Sequence, residues 1–155
     1  MEAFKFWEVI YNPVMFPAFL AWISSQLIKA PIAVFLTKKR GWRIIFSTGG
    51  MPSSHTAFTM AIAVSTGLNA GWTSIAFAIA IAFAIVVMYD AAGVRQAAGK
   101  QAAVLNDIVE HMEETGQFVI TKEKLREFLG HTPVEVIVGA LFGTAVSVVY
   151  YLYTV

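Results

Sequence analysis

The chain has 155 residues, is 57% hydrophobic and 14% charged, and carries a formal net charge of +1; its mean hydropathy is +0.66. That balance excludes an ordinary soluble domain, argues against a nucleic-acid partner, and assigns the chain to a lipid bilayer. Cysteine is absent, which rules out disulfides, thiolate metal sites and cysteine nucleophiles and leaves the chemistry to His, Asp, Glu, Ser, Lys and Arg.

Glu2, Lys5 and Glu8 precede the first apolar run without an evident small-residue cleavage site, so the first span is expected to be retained rather than removed as a signal peptide. A hydrocarbon core about 30 Å thick needs roughly 20 apolar helical residues, and residues 13–36 supply that length, interrupted only by Lys29 and Pro31. Lys38, Lys39, Arg40 and Arg43 follow as a basic segment, and Ser47-Thr48-Gly49-Gly50 marks a turn. Residues 52–68 form a second apolar stretch, short for a full crossing. The tight turn Asn69-Ala70-Gly71-Trp72 joins it to a third over 73–89, which gives a helical hairpin.

From Ala91 to Glu114 the helix formers persist, but Arg95, Lys100, Asp107, Glu110, Glu113 and Glu114 enter. This pattern predicts an amphipathic helix outside the hydrocarbon core, either separate or continuing the third span. Thr115-Gly116 breaks it. Residues 121–129 read as a short charged helix, capped by Thr121 and ended by Gly130 in the left-handed conformation. Thr132 as N-cap, Pro133 at the first helical position and Glu135 completing a capping box then open a fourth span over 133–154. The expected fold is an all-α polytopic membrane helical bundle, about four transmembrane helices plus cytoplasmic amphipathic helices, in a single domain over 1–155. Of the eleven Lys and Arg, four fall in segment 37–51 and five in segment 90–131, and none in the 69–72 turn or the C-terminal tail. Both large segments are therefore expected on the cytoplasmic side, with both termini opposite, in a plasma (inner) membrane.

Two junctions between loop and span concentrate the chemistry. Gly49-Gly50-Met51-Pro52-Ser53-Ser54-His55 runs a glycine-flanked turn into a helix start, where unpaired amides and the helix dipole suit a phosphate. Its plainer reading is that Ser53 or Ser54 caps the helix and His55 sits at the interface. In Leu129-Gly130-His131-Thr132-Pro133-Val134-Glu135, Glu135 stands four residues after His131. There it can fix one ring nitrogen and free the other for attack, or serve the capping box alone. Topology expects both junctions at one depth on one membrane side, where an unpaired ionisable group usually marks a site.

A third cluster, Tyr89 to Lys100, holds Asp90, Arg95 and Lys100 where the third span leaves the membrane. Arg95 offers a donor fork for phosphate, against snorkelling to headgroups, and Lys100 leans to the latter. Asp90 can orient Arg95, form a structural pair or bind a metal. Lys29, inside an apolar span beside Ser24, Ser25 and Gln26, either snorkels or neutralises phosphate. His111 reads as a surface residue. Lys38, Lys39 and Arg40 read as a topology signal and an anionic-lipid contact.

Pro52-Ser53-Ser54-His55, Arg95 and His131-x-x-x-Glu135 together resemble the phosphate site of the type-2 phosphatidic acid phosphatase and vanadium haloperoxidase superfamily. The runs Gly-Gly-Met-Pro-Ser-Ser-His, Asp-Ala-Ala-Gly-Val-Arg and Leu-Gly-His-Thr-Pro-x-Glu-Val look like those of its small divergent membrane branch, and the likeness covers about 29–143. The resemblance implies that His131 attacks phosphorus to form a phosphohistidine, with Glu135 in place of the family's orienting Asp. His55 then protonates the leaving alkoxide and later activates water. By the same resemblance Ser53, the backbone around Ser54, Arg95 and Lys29 hold the phosphate oxygens and no metal is required; Asp90 and Lys100 join them as candidate phosphate-binding residues by position, and no cofactor is expected. Besides a count of four spans where the family usually has six, three departures stand out. Ser54 replaces a Gly; Arg95 lies far before His131 rather than six residues before it; and the first family motif is absent, with only Lys29 and Arg43 available by position.

The expected activity is therefore hydrolysis of a membrane lipid phosphate, of the phosphatidylglycerol phosphate or phosphatidic acid type. The rival from another class is a non-catalytic transporter or lipid-headgroup-binding scaffold, and a second enzyme reading is a metal site built from His55, His131, Glu135 and Asp90. Gly139-x-x-x-Gly143 fits either a homodimer seam or packing within the protomer.

Overall fold

The computed structural model describes residues 8–9, 11–37, 50–116, 124–125 and 129–155. Its principal elements are α1 (Met15–Thr37), α2 (Ser54–Ala70), α3 (Ile75–Tyr89), a π-helical turn (Asp90–Val94), α4 (Arg95–Glu114) and α5 (Pro133–Thr154). The basic 38–43 segment, the turn residues 47–49 and most of the proposed 121–129 helix lie outside the described residues. Lys124 and Leu125, which are described, are not helical. The Leu125 backbone is paired with α4 instead: the Asn106 side-chain amide donates to the Leu125 carbonyl at 3.0 Å, and the Leu125 amide donates back to Asn106 Oδ1 at 2.9 Å.

The helix starts follow from local side chains. Asn12 Oδ1 accepts from the amides of Val14 and Met15 ahead of α1, Ser53 caps α2, Ser74 caps α3, and Thr132 with Glu135 forms a complete capping box at α5. Gly71, at φ 92°, supplies the left-handed residue that ends α2.

α2 is the centre of the bundle and packs against α1, α3 and α5. Its buried positions are mostly small: Ser54, Thr56, Ala57, Thr59, Ala61, Ala63, Ser65 and Gly67 among them. Small side chains let neighbouring helices approach closely where lipid offers no hydrophobic drive for helix association. The closest approach is to α5. A Cβ on Gly139 would lie 2.6 Å from the Ser53 carbonyl oxygen, one on Gly143 would collide with the Ala57 carbonyl, and Ser147 Oγ donates to the Ala61 carbonyl at 3.1 Å. Both glycines of the Gly139-x-x-x-Gly143 seam are thus filled by α2 of the same chain.

Large apolar side chains point outward instead: Ile75, Ile79, Phe83 and Val86 on α3 and Ile137, Leu141 and Leu152 on α5 are all exposed. Contiguous apolar surface of this kind requires a non-aqueous surrounding. The continuous helix Ile75–Glu114 and the helix Pro133–Thr154 are each long and apolar enough to cross a membrane; among the described residues the regular structure is all helical, and the molecule is a helical membrane protein. α3 and α4 form one rod, with the π-turn as its joint, so the amphipathic segment continues the third span. α2, at 17 residues, is about 25 Å long, short of a full crossing.

Candidate active site

Two features bring the His131 segment onto the rod. Gly130 adopts φ 84°, and a Cβ there would fall 2.5 Å from the Gln96 amide nitrogen, so only glycine lets the backbones lie in contact. The next residue's amide, His131 N, donates to the Ala91 carbonyl at 2.9 Å. Within the π-turn the Arg95 amide bonds to the Asp90 carbonyl, five residues back. Such widened turns change which carbonyls the helix itself uses, and they recur at functional sites.

The His131 side chain is almost fully buried, 4% exposed. Its Nδ1 lies 3.1 Å from Glu135 Oε2, which also accepts from the Thr132 amide at 3.0 Å. Glu135 therefore serves both roles its spacing allowed, the helix cap and the orientation of the imidazole. Burial holds the His131 pKa below the ordinary imidazole value; the Glu135 hydrogen bond and charge oppose that shift, and the positive charges of Lys29 and His55 reinforce it. A neutral ring that donates from Nδ1 to Glu135 carries its lone pair on Nε2. That atom is buried and has no hydrogen-bond partner, whereas buried polar atoms are normally satisfied.

A cavity of about 290 Å³ lies at this point, lined by His55, Val86, Val87, Asp90, Ala91, Arg95, Leu129, Gly130 and His131. The two imidazoles from separate helix starts thus share one space. Arg95 is oriented within it by Asp90, Nε to Oδ2 2.6 Å; of the three readings of Asp90, the pairing with Arg95 is the one observed. Among the described residues no three His, Asp or Glu side chains converge as a metal-ligand set.

The other expected phosphate ligands are placed differently. Ser53 is fully buried, and its hydroxyl accepts from the Thr56 amide and bonds to the Thr56 hydroxyl, while its amide donates to the Glu135 carbonyl. The Ser53 hydroxyl caps α2 through Thr56, and the Ser53 backbone amide, not the side chain, ties this helix start to α5. Ser54 Oγ accepts from Lys29 Nζ at 3.4 Å in a buried contact, which turns Lys29 inward to the Ser54 end of α2. The first amides of α2 have no intrahelical acceptor. Lys100 lines a second cavity of about 420 Å³, with Gly50, Gln96 and Glu135, that abuts His131 from another side; it is not gathered with His55 and Arg95. His111 is exposed. Val87, Ala91 and the cavity-lining role of Gly130 were missed from sequence, although Phe83, Val87 and Asp90 share one helical face at i, i+4 and i+7, a spacing that marks a common surface.

A helical membrane protein thus sets a buried, Glu135-paired imidazole in one cavity with a second imidazole and a guanidinium, groups that can carry protons and bind an anion. The chain belongs to the Divergent PAP2 family, whose model matches residues 10–146. It is 38% identical over 151 residues to a protein of Bacillus subtilis (strain 168) named "Uncharacterized membrane protein YuiD", covering 92% of this chain and 96% of that one. No solved structure matches the chain.

Proposed function

We propose that the protein hydrolyses the phosphate ester of a membrane lipid, with His131 as nucleophile, His55 as general acid and base, and Glu135 as the orienting carboxylate. The observation that carries this reading is the unpartnered, buried Nε2 of His131, a residue that lines one cavity together with His55 and Arg95. In the first step the Nε2 lone pair attacks phosphorus, a P–N bond forms, and the P–O bond to the alcohol breaks. The alkoxide takes its proton from His55. Glu135 stabilises the charge that develops on the His131 ring. In the second step neutral His55 removes a proton from water, the resulting hydroxide attacks phosphorus, and the P–N bond breaks with its electron pair returning to Nε2. Inorganic phosphate leaves and His55 is protonated again. Arg95, fixed by Asp90, and the first amides of α2 stabilise the phosphoryl oxygens, with Lys29 adding positive charge from behind Ser54. General acid–base catalysis of this kind contributes typically ~10²–10⁴-fold.

The basic residues flanking the spans favour a cytoplasmic site in a plasma (inner) membrane, and a substrate of the phosphatidic acid or phosphatidylglycerol phosphate type. The test is phosphate release by the purified protein from both lipids with chelator present, for wild type, His55→Ala and His131→Ala. Release by wild type, abolished by either change, is expected. Undiminished release by His131→Ala would remove the proposal.

A further inference from the structure

α4 turns one side toward its own protein and an apolar side away from it. Gly99, Ala102 and Asn106 are buried, whereas Val94, Leu105 and Ile108 are 61%, 50% and 51% exposed. From Val94, the last residue of the π-turn, the outward stripe runs through Ala98, Gln101, Leu105, Ile108 and Met112, at steps of four, three, four, three and four residues. All but the half-buried Met112 are exposed. We infer that a second copy of this chain covers the stripe: two α3–α4 rods pair side by side and parallel, about a twofold axis along the membrane normal, as a left-handed coiled coil.

The spacing selects a helical partner. Alternating steps of three and four residues repeat slightly faster than the α-helix turns, so such a stripe stays in contact only with a helix that winds around it. The charged side chains of α4, at Arg95, Lys100, Asp107, Glu110, Glu113 and Glu114, all fall off these positions, and two stripes therefore meet without burying a charge. Gln101 is polar, and across a twofold axis its amide can bond to its own copy, which fixes the register of a parallel pair. The joint in the rod keeps the stripe in phase. On α3, Ile75, Ile79, Ala82 and Val86 follow the same spacing and are exposed, and Val94 comes eight residues after Val86. Eight α-helical residues would carry the stripe roughly 80° around the rod. The π-turn at Asp90–Val94 spends one residue more on its turn and offsets that excess. One seam thus runs along both halves of the rod.

Charge and orientation favour a second copy over a lipid surface. A hydrocarbon core about 30 Å thick is crossed roughly 20 residues after Ile75, near Arg95, so α4 lies beyond it. Its far half carries Asp107, Glu110, Glu113 and Glu114, all exposed. Laying the stripe onto a bilayer would bring these carboxylates against lipid phosphates, whereas the parallel pair leaves them in water. The membrane holds every copy in one orientation, so a parallel twofold presents the stripe to itself. This face is distinct from Gly139-x-x-x-Gly143, which α2 of the same chain fills.

The chain has no cysteine, so single cysteines in the full chain report on the pairing without background. Oxidation in membranes is expected to link Gln101→Cys, Leu105→Cys and Ile108→Cys into dimers at least about fivefold more than Asp107→Cys or Glu110→Cys, because a disulfide needs its two Cα atoms within about 7 Å. In detergent the wild-type particle is expected to hold two chains of 17.0 kDa. The double variant Leu105→Asp, Ile108→Asp is expected to hold one while keeping its helical circular dichroism. Equal cross-linking at all five positions, a wild type of one chain, or a double variant that stays dimeric overturns the pairing. So does a one-chain particle in which Leu105→Cys is shielded from a water-soluble maleimide, which would assign the stripe to lipid or to another part of the same chain.

Discussion

The amide of His131 donates to the carbonyl of Ala91 at 2.9 Å, so the segment carrying the buried imidazole hangs from the π-turn between α3 and α4. Gly130 permits this approach. Substituting Gly130→Ala places a Cβ against the Gln96 backbone and puts a left-handed φ on a residue that disfavours it, which alone costs roughly 1–2 kcal/mol. A 1 Å displacement of a reacting group can cost ~10²-fold in rate. Phosphate release is therefore expected to fall by about that factor, while thermal unfolding in detergent records only the modest loss of stability.

Glu135 acts on His131 in two ways that a pH profile separates. Neutral His131 is the nucleophile, and burial lowers its pKa, so the acid limb of kcat/KM is expected below the ordinary imidazole value of about 6.5. Glu135 opposes that shift; in Glu135→Gln the limb moves to still lower pH. At the same time kcat falls by about 10²–10⁴-fold as the ring loses its orienting anion. An unmoved limb contradicts the pairing. Stability has the same sign: as pH falls through about 6.5 the unfolded chain protonates His131 before the folded protein does, so stability is present above that pH and lost below it.

Arg95 and Asp90 separate phosphate recognition from stability. Their pair is partly exposed, with side-chain exposures of 53% and 38%, so it contributes little to folding. Arg95→Ala is expected to lower kcat/KM by about 10²-fold, and Arg95→Lys to recover only part, because lysine keeps the charge without the fork. Asp90→Asn is expected to lower activity by about tenfold and to leave the unfolding temperature unchanged. Equal kinetics for all three variants would exclude the guanidinium from the site.

Gly139 tests the bundle rather than the chemistry. A Cβ at this position meets the Ser53 carbonyl at 2.6 Å, and backbone cannot yield as a flexible side chain can. Gly139→Ala is expected to destabilise the protein by about 1–3 kcal/mol, the usual cost of overpacking, read by unfolding in detergent. A variant as stable as wild type contradicts the close α2–α5 contact.

What was legible in the sequence was local. Thr132, Pro133 and Glu135 specify a helix start through contacts within four residues, and that start formed as read. The helical hairpin and the amphipathic continuation followed from apolar length and charge placement. The π-turn was not legible, because Ala91, Ala92 and Val94 suit an α-helix equally well, and the widened turn adjoins a carbonyl used by a loop distant in sequence. The resemblance implies a phosphate ligand at Ser53, but its hydroxyl accepts from the Thr56 amide to cap α2, while its backbone amide holds the α5 start through the Glu135 carbonyl. The Gly139 and Gly143 seam fitted two partners until the small residues of α2 could be seen opposite it.

Formation of a phosphohistidine at His131 is the most direct test. The protein is given phosphatidic acid with a radioactive phosphate, quenched during turnover into alkaline denaturant, which preserves a P–N bond, and mapped by peptide. The expected result is label on the peptide containing His131, absent in His131→Ala and slow to form in His55→Ala. Label on a different residue, or turnover by wild type with no label on His131 at any quench time, would contradict the mechanism.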